Sequence, residues 1–390
     1  MRKIVLIAIV SIVALVIYNK CVTPPPQPAT WYDNKIIASY KSDAIDEKIG
    51  SMPEKAELYI DASGSMKPYF IADGTSMINT LSEIINLNAE GTDVYFLDNP
   101  KPYQGMVRDI LLDVRKQPNN SNTLFHEFFS NAACKLDTVN TIIYLVTDGI
   151  MSIHDTSRDM STALVELRGK ITNSLKEHSD LAVAIFRYVG GFKGNYWNSK
   201  SKDIKLKEQI DRPYYIIALS RKETMRCLQS VPNDKLNNPE GRLFMGLHDF
   251  AGHSNVVFLH GDSGVLEDNM KDVQLTLELP SCLKDIDVAD VQIANNGKRI
   301  DVKVEKAGNN LIATIPTSIP LKHEKDKIRV RLSVPNKIPN IWIDEWNCDD
   351  DINGPDSYTT YGLAALITGI FNGLERNNDL LTLDYIYKIQ

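Results

Sequence analysis

From about Ser51 the chain alternates short apolar runs with apolar stripes at helical spacing. Ala56-Glu57-Leu58-Tyr59-Ile60-Asp61 reads as a short strand, and Met77, Ile78, Leu81, Ile84 and Ile85 then recur as one face of a helix. Asp93-Val94-Tyr95-Phe96-Leu97 predicts a second strand. The run Thr141-Ile142-Ile143-Tyr144-Leu145-Val146 is nearly all apolar and β-branched, as a central strand buried on both faces requires. Leu164, Leu167, Ile171 and Leu175 form another helical stripe, followed by strands over 181–186 and 214–219 and a helix carrying Cys227. This alternation predicts an α/β fold, a doubly wound, mostly parallel sheet covered by helices on both faces.

The texture changes after about Lys271. Val273, Leu275, Leu277 and Leu279 alternate with polar residues, Asn296-Gly297 is a hairpin signal, and Ile300, Val302 and Val304 alternate behind it. Ala307-Gly308-Asn309 turns the chain into Leu311, Ala313 and Ile315, and Ile328, Val330, Leu332 and Val334 make a further two-faced strand. A small antiparallel β domain of sandwich type is expected here. An apolar helix over 361–374, interrupted by Gly369, closes the pattern without an evident packing partner. The expected organisation is an N-terminal anchor or signal segment (1–20), a Pro-rich linker (21–50), the α/β domain (51–235), a connection of unassigned fold (236–270), the β domain (271–336) and a C-terminal helical segment (337–390).

The first segment departs from this globular texture. Arg2 and Lys3 precede an apolar run over residues 4–18, broken only by Ser11. The run is short for a spanning helix of about 20 residues, yet Tyr18 and Lys20 suit the interface. It fits an uncleaved anchor, a lipoprotein leader ending at Cys21, or a cleaved signal peptide, and all three export the body from the cytoplasm. Pro24, Pro25, Pro26 and Pro28 then read as a stiff spacer. A net charge of −7 with no basic stripe excludes bulk nucleic-acid binding. Cys134, Cys227, Cys282 and Cys348 suit two disulfides or none, and the lack of a CxxC pair points away from zinc.

The chemistry lies in Asp61-Ala62-Ser63-Gly64-Ser65-Met66, where the first strand runs out toward a helix. Ligands of open α/β sheets bind outside the carboxyl ends of strands. One carboxylate and two hydroxyls at alternate positions offer hard oxygens suited to Mg²⁺, Mn²⁺ or Ca²⁺. Three side chains do not fill an octahedron, so other residues must contribute. Asp-x-Ser-x-Ser after a first strand resembles the metal-ion-dependent adhesion site, or MIDAS, of von Willebrand factor A (vWA) domains, which are Rossmann-like. Thr123 stands where that family has a mid-domain threonine, and Asp148 in Leu145-Val146-Thr147-Asp148-Gly149 stands where it has a second aspartate. The resemblance covers roughly residues 51–230 and implies a metal set of Asp61, Ser63, Ser65, Thr123 and Asp148. Ser63, Ser65 and Thr123 would bind directly or nearly so, Asp61 and Asp148 directly or through water, and an acidic side chain of a protein partner would complete the octahedron. One departure is Asn120-Ser121-Asn122 in place of the glycine pair often preceding the threonine.

Other signals carry less. Gly261-Asp262-Ser263-Gly264 lacks the rest of a serine-protease pattern, and His248, His253 and His260 fit no zinc spacing. Asp349-Asp350-Asp351-Ile352-Asn353-Gly354 opens like a calcium loop, but Thr360 stands where the bidentate Glu belongs, so a solvated acidic turn is expected. The stretch Gly190-Gly191-Phe192-Lys193-Gly194-Asn195-Tyr196-Trp197 reads as an exposed aromatic loop on the α/β domain and a candidate part of a partner surface. The sequence therefore predicts a membrane-anchored, extracytoplasmic (periplasmic or cell-surface) module that binds a protein partner through a divalent metal and is not an enzyme. Alternatives are a structural scaffold of an envelope assembly and a metal-dependent hydrolase.

Overall fold

The structure, a computed structural model, divides into two units. It describes residues 30–32, 35–41, 51–53, 55–72, 75–88, 91–97, 99–117, 124–136, 140–150, 160–198, 203–247, 255–259, 272–278, 288–308, 310–316, 327–351, 354, 357–375 and 379–388. The α/β unit spans Glu47–Asp249 and Lys337–Asn377, and the β unit Met1–Asp46, Phe250–Asn336 and Asn378–Gln390.

The α/β unit is built on six strands: β1 (Ala56–Ile60), β2 (Thr92–Phe96), β3 (Ile142–Thr147), β4 (Leu181–Phe192), β5 (Ile210–Arg221) and β6 (Gly241–Met245). Their order is β6-β4-β5-β3-β1-β2. β2 and β3 pair parallel to β1, whereas β5 is antiparallel to β3, β4 to β5 and β6 to β4. The sheet is mixed, which corrects the expected mostly parallel arrangement. Parallel neighbours need a long, usually helical crossover. Between β4 and β5 the chain offers only the short hairpin Asn195–Trp197 and Asp203–Lys205 among the described residues, so the two strands close antiparallel. Each is 12 residues long, twice the apolar segment that marked it, because the ladder continues through Gly190 and Gly191.

Seven helices accompany the sheet: α1 (Lys67–Ile71), α2 (Thr75–Ile85), α3 (Ile110–Lys116), α4 (Phe125–Leu136), α5 (Met160–Leu175), α6 (Lys222–Ser230) and α7 (Leu363–Leu374). Successive residues of a strand point to opposite faces, and β3 feeds two cores accordingly. Ile142, Tyr144 and Val146 join Met77, Leu81 and Ile84 of α2 and Met225 and Leu228 of α6. Ile143 and Leu145 join Phe125 and Phe129 of α4, Ile171 and Leu175 of α5, and Ile367 and Ile370 of α7. Each such side chain contributes roughly 1.5–3 kcal/mol of burial free energy.

The packing partner of the last helix is α5. Gly369 and Gly373 let the two backbones meet: a β-carbon on Gly369 would stand 3.0 Å from the Arg168 carbonyl oxygen, and one on Gly373 2.8 Å from Leu175 Cβ. Thr172 Oγ1 donates to the Gly369 carbonyl across this contact at 3.0 Å. Residues 337–390 are thus not one helical segment. Their first part completes the α/β unit, and Asp379–Lys388 is a strand of the β unit. The connection 236–270 is divided too, since β6 joins the main sheet and Asn255–Leu259 the β unit.

The β unit holds two five-stranded sheets. The first runs Thr30–Tyr32, Lys35–Lys41, Asp272–Glu278, Asn310–Ile315 and Lys303–Ala307, and Lys35–Lys41 pairs parallel to Asp272–Glu278. The stretch 21–50 is therefore more than a linker. A strand whose partner is over two hundred residues away carries no local sign of the pairing. The second sheet orders Asn255–Leu259, Asp379–Lys388, Lys327–Pro335, Gln292–Asn295 and Lys298–Ile300, its first pair being parallel. Leu311, Ala313 and Ile315 are buried in one, Ile293, Val330, Leu332 and Val334 in the other. Asn296-Gly297 makes the expected hairpin with positive φ at both residues.

Cys134 and Cys227 are free thiols, while Cys21 and Cys282 lie outside the described residues. Among the described residues no helix is long and apolar enough to cross a membrane, and the apolar run over residues 4–18 is outside them. Wedging α7 from α5 tests the assignment of residues 337–377. Gly373→Val is expected to lower unfolding stability by about 1–3 kcal/mol in urea denaturation. Unchanged stability would show that the two helices do not pack at these glycines.

Candidate metal centre

β1 and β3 are parallel neighbours in the register Ile60 to Val146, and the Asp61 N–H extends their ladder to the Val146 carbonyl at 3.0 Å. The residues leaving the two carboxyl ends, Asp61 and Asp148, are consequently brought to one place and buried at 2% and 3% exposure. Local hydrogen bonds shape the first loop. Asp61 Oδ1 accepts from the Ser63 N–H at 2.8 Å, an Asx-type turn, and the Ser63 carbonyl accepts from the Met66 N–H at 3.2 Å as the chain enters α1. Buried Met66 pins the loop to the core. The turn leaves the Ser63 and Ser65 hydroxyls 3.0 Å apart.

The second loop is held as tightly. Thr147 Oγ1 donates to Asp61 Oδ2 at 3.1 Å and accepts from the Gly149 N–H at 3.2 Å. Asp148 Oδ1 accepts from the Ile150 N–H at 3.1 Å, and Asp148 Oδ2 is buried with no hydrogen-bond partner within bonding distance among the described residues. Gly149 has φ +72°, and a β-carbon there would stand 2.8 Å from the Tyr215 ring, so the position is closed to side chains.

Burial pushes the Asp148 carboxyl up to about 6, and the neighbouring Asp61 charge adds to the shift; the Ser65 hydroxyl, the Ile150 N–H and Arg212 oppose it. Arg212 is itself buried, its guanidinium 4.6 Å from the Tyr196 ring centre and 5.5 Å from that of Phe192. Burial works against its charge, but Tyr69, Tyr196 and Asp148 more than offset this and hold it protonated. Two buried carboxylates with hydroxyls beside them, one carboxylate oxygen lacking a partner among the described residues, make an oxygen donor set that fits a hard divalent cation. Among the described residues no three His, Cys, Asp or Glu side chains gather for a metal.

Of the five residues expected at the site, the structure brings together Asp61, Ser63, Ser65 and Asp148; Thr123 lies outside the described residues, immediately before the Leu124 that leads into α4. The discounted histidines and Gly261-Asp262-Ser263-Gly264 also lie outside them. The chain matches no family model, no curated protein and no solved structure.

Two residues at the site, Thr147 and Arg212, are not singled out by the sequence, and a third, Trp197, reads there only as part of an aromatic loop. Thr147 bridges the two loops, Arg212 supplies a buried positive charge, and Trp197 lies against Gly64. A lone arginine entering the apolar strand 214–219 was a usable signal for the second. The stretch 190–197 is not an exposed aromatic loop, because Phe192 and Tyr196 are buried and Trp197 alone of its aromatic side chains is exposed. Nor is the acidic turn fully solvated, since buried Asp351 accepts from the Tyr196 hydroxyl at 2.7 Å.

Asp148→Asn removes a buried negative charge facing Asp61 yet keeps an acceptor for the Ile150 N–H. In EDTA at neutral pH this variant is expected to melt a few degrees above the wild type. A lower melting temperature would show that the ionised carboxylate stabilises the metal-free fold.

Proposed function

We propose that the α/β unit is a vWA-type domain whose site holds one divalent cation, Mg²⁺ in the first instance, and binds a protein partner through an acidic side chain. Asp61, Ser63, Ser65 and Asp148 would hold the ion, with Thr123 contributing from its loop. Bound there, the cation supplies a Lewis-acidic coordination position for the partner's carboxylate. The observation that carries this reading is the pair of buried carboxylates at adjoining strand ends, one with an oxygen lacking a hydrogen-bond partner among the described residues. A cation satisfies that oxygen and removes the repulsion together.

The antiparallel placement of β5 beside β3 departs from the parallel sheet that the vWA resemblance implies. It leaves untouched the adjacency of β1 and β3, on which the donor set depends. We further propose that the N-terminal apolar segment exports and tethers the protein, so that the site faces the periplasm or the cell exterior. The function is adhesion rather than catalysis. Thr147 and the backbone amides are committed to orienting the two carboxylates, which are themselves the ligands.

Mg²⁺ is expected to raise the melting temperature of the wild-type protein and to leave that of Asp61→Ala unchanged. In pull-downs from the native envelope, partners captured with Mg²⁺ should be lost with EDTA and with Asp61→Ala. Equal recovery under all three conditions would sink the metal latch and leave a metal-independent scaffold.

A further inference from the structure

Beside the loop that carries Ser63 and Ser65 lies an aromatic side chain that the donor set does not use. Trp197 Nε1 is 3.2 Å from where a β-carbon of Gly64 would stand, and its Cδ1 is 3.7 Å away. The indole therefore rests on the metal-binding loop itself, at the one position there without a side chain to hold it off. It is also 39% exposed, so one part of the ring touches the loop while another faces solvent.

The support beneath Trp197 is rigid. Asn195–Trp197 and Asp203–Lys205 form a short hairpin in which Trp197 pairs with Asp203 and Tyr196 with Ile204. Strand alternation sends Tyr196 inward and Trp197 outward. The buried Tyr196 donates its hydroxyl to Asp351 Oδ2 at 2.7 Å and carries the Arg212 guanidinium 4.6 Å above its ring. The Leu206 N–H closes the hairpin on the Gly194 carbonyl at 3.0 Å. An exposed indole fixed in this way loses little entropy when a ligand covers it, which is why Trp recurs among the residues that dominate binding energy.

Charge completes the description of the ligand. A divalent ion would balance Asp61 and Asp148, and the buried Arg212 guanidinium lies over Tyr196, whose hydroxyl binds Asp351, so the ion's own open coordination position is what selects an anionic oxygen. We propose that Trp197 is the apolar half of the binding surface, and that the partner presents a carboxylate to the metal with an aromatic or aliphatic group immediately beside it. This inference rests on the metal centre proposed above and adds to it the class of group that flanks the carboxylate.

Two small acids serve as probes, acetate carrying the carboxylate alone and phenylacetate adding a ring. Titrated into Mg²⁺-loaded full-length protein, phenylacetate is expected to bind roughly fivefold to tenfold more tightly than acetate, with a change in tryptophan emission. Trp197→Ala should erase that preference, Trp197→Phe should keep most of it, and Mg²⁺ should still raise the melting temperature of both variants. Equal Mg²⁺-dependent binding of the two acids would overturn the role of Trp197 and leave the metal centre standing. Binding that persists in EDTA, or no binding of either acid to the Mg²⁺-loaded protein, would overturn the two-point contact. The two failures remain distinguishable, because the Mg²⁺-induced rise in melting temperature reports on the metal centre without either acid.

Discussion

The parallel pairing of β1 with β3 is the constraint on which the candidate site depends. Its register sets Ile60 against Val146, so the next residues along are Asp61 on one strand and Thr147 and Asp148 on the other. A slip of one residue would exchange the faces of every side chain in β3 and scatter the carboxylates. What resists the slip is apolar burial: Ile142 to Val146 are all buried, and each contributes roughly 1.5–3 kcal/mol. The opposing penalty, ionising Asp148 beside Asp61 in a buried place, amounts to a few kcal/mol. The strand therefore holds together two carboxylates that would otherwise separate.

Around that pair the β4–β5 hairpin performs a second task. By running antiparallel into the gap beside β3, β5 delivers Arg212 to the neighbourhood of Asp148, and the turn region delivers Tyr196 and Trp197. A helical crossover at this point would have carried the chain away over one face of the sheet. The departure from a doubly wound sheet is thus what surrounds the carboxylates with a guanidinium and an exposed indole.

Legibility in the sequence followed the range of the interactions. Asp61, Ser63 and Ser65 form a local turn closed by the Asp61–Ser63 bond, and Asp148 ends a strand recognisable from its own apolar run, so short windows sufficed. The α2 stripe from Met77 to Ile84 and the Asn296-Gly297 hairpin were legible for the same reason. Arg212 and Trp197 reach the site through contacts with residues more than sixty and one hundred positions away, so their local signals carried no sign of that role. The sheet direction was misjudged because apolar runs mark strands without orienting them. The missing helix between β4 and β5 was the available clue. Gly369 looked like an interruption of a helix because its purpose, close approach to α5, lies two hundred residues back.

Chain threading separates the site from the rest of the molecule. The candidate donors Asp61, Ser63, Ser65 and Asp148 are drawn from residues 61–148, whereas α7 joins the core on the opposite face from α2 and α6, and the β unit gains its last strand only at Asp379–Lys388. The donor-bearing strands can therefore pair before the C-terminal part of the chain exists, while the second core stays open until Leu363–Leu374 arrives. A carboxylate pair assembled early on a half-covered sheet has the most to gain from a cation at that stage. Metal binding would then act on folding as well as on the finished surface, since an ion that binds the paired strands and not the extended chain favours the pairing by mass action.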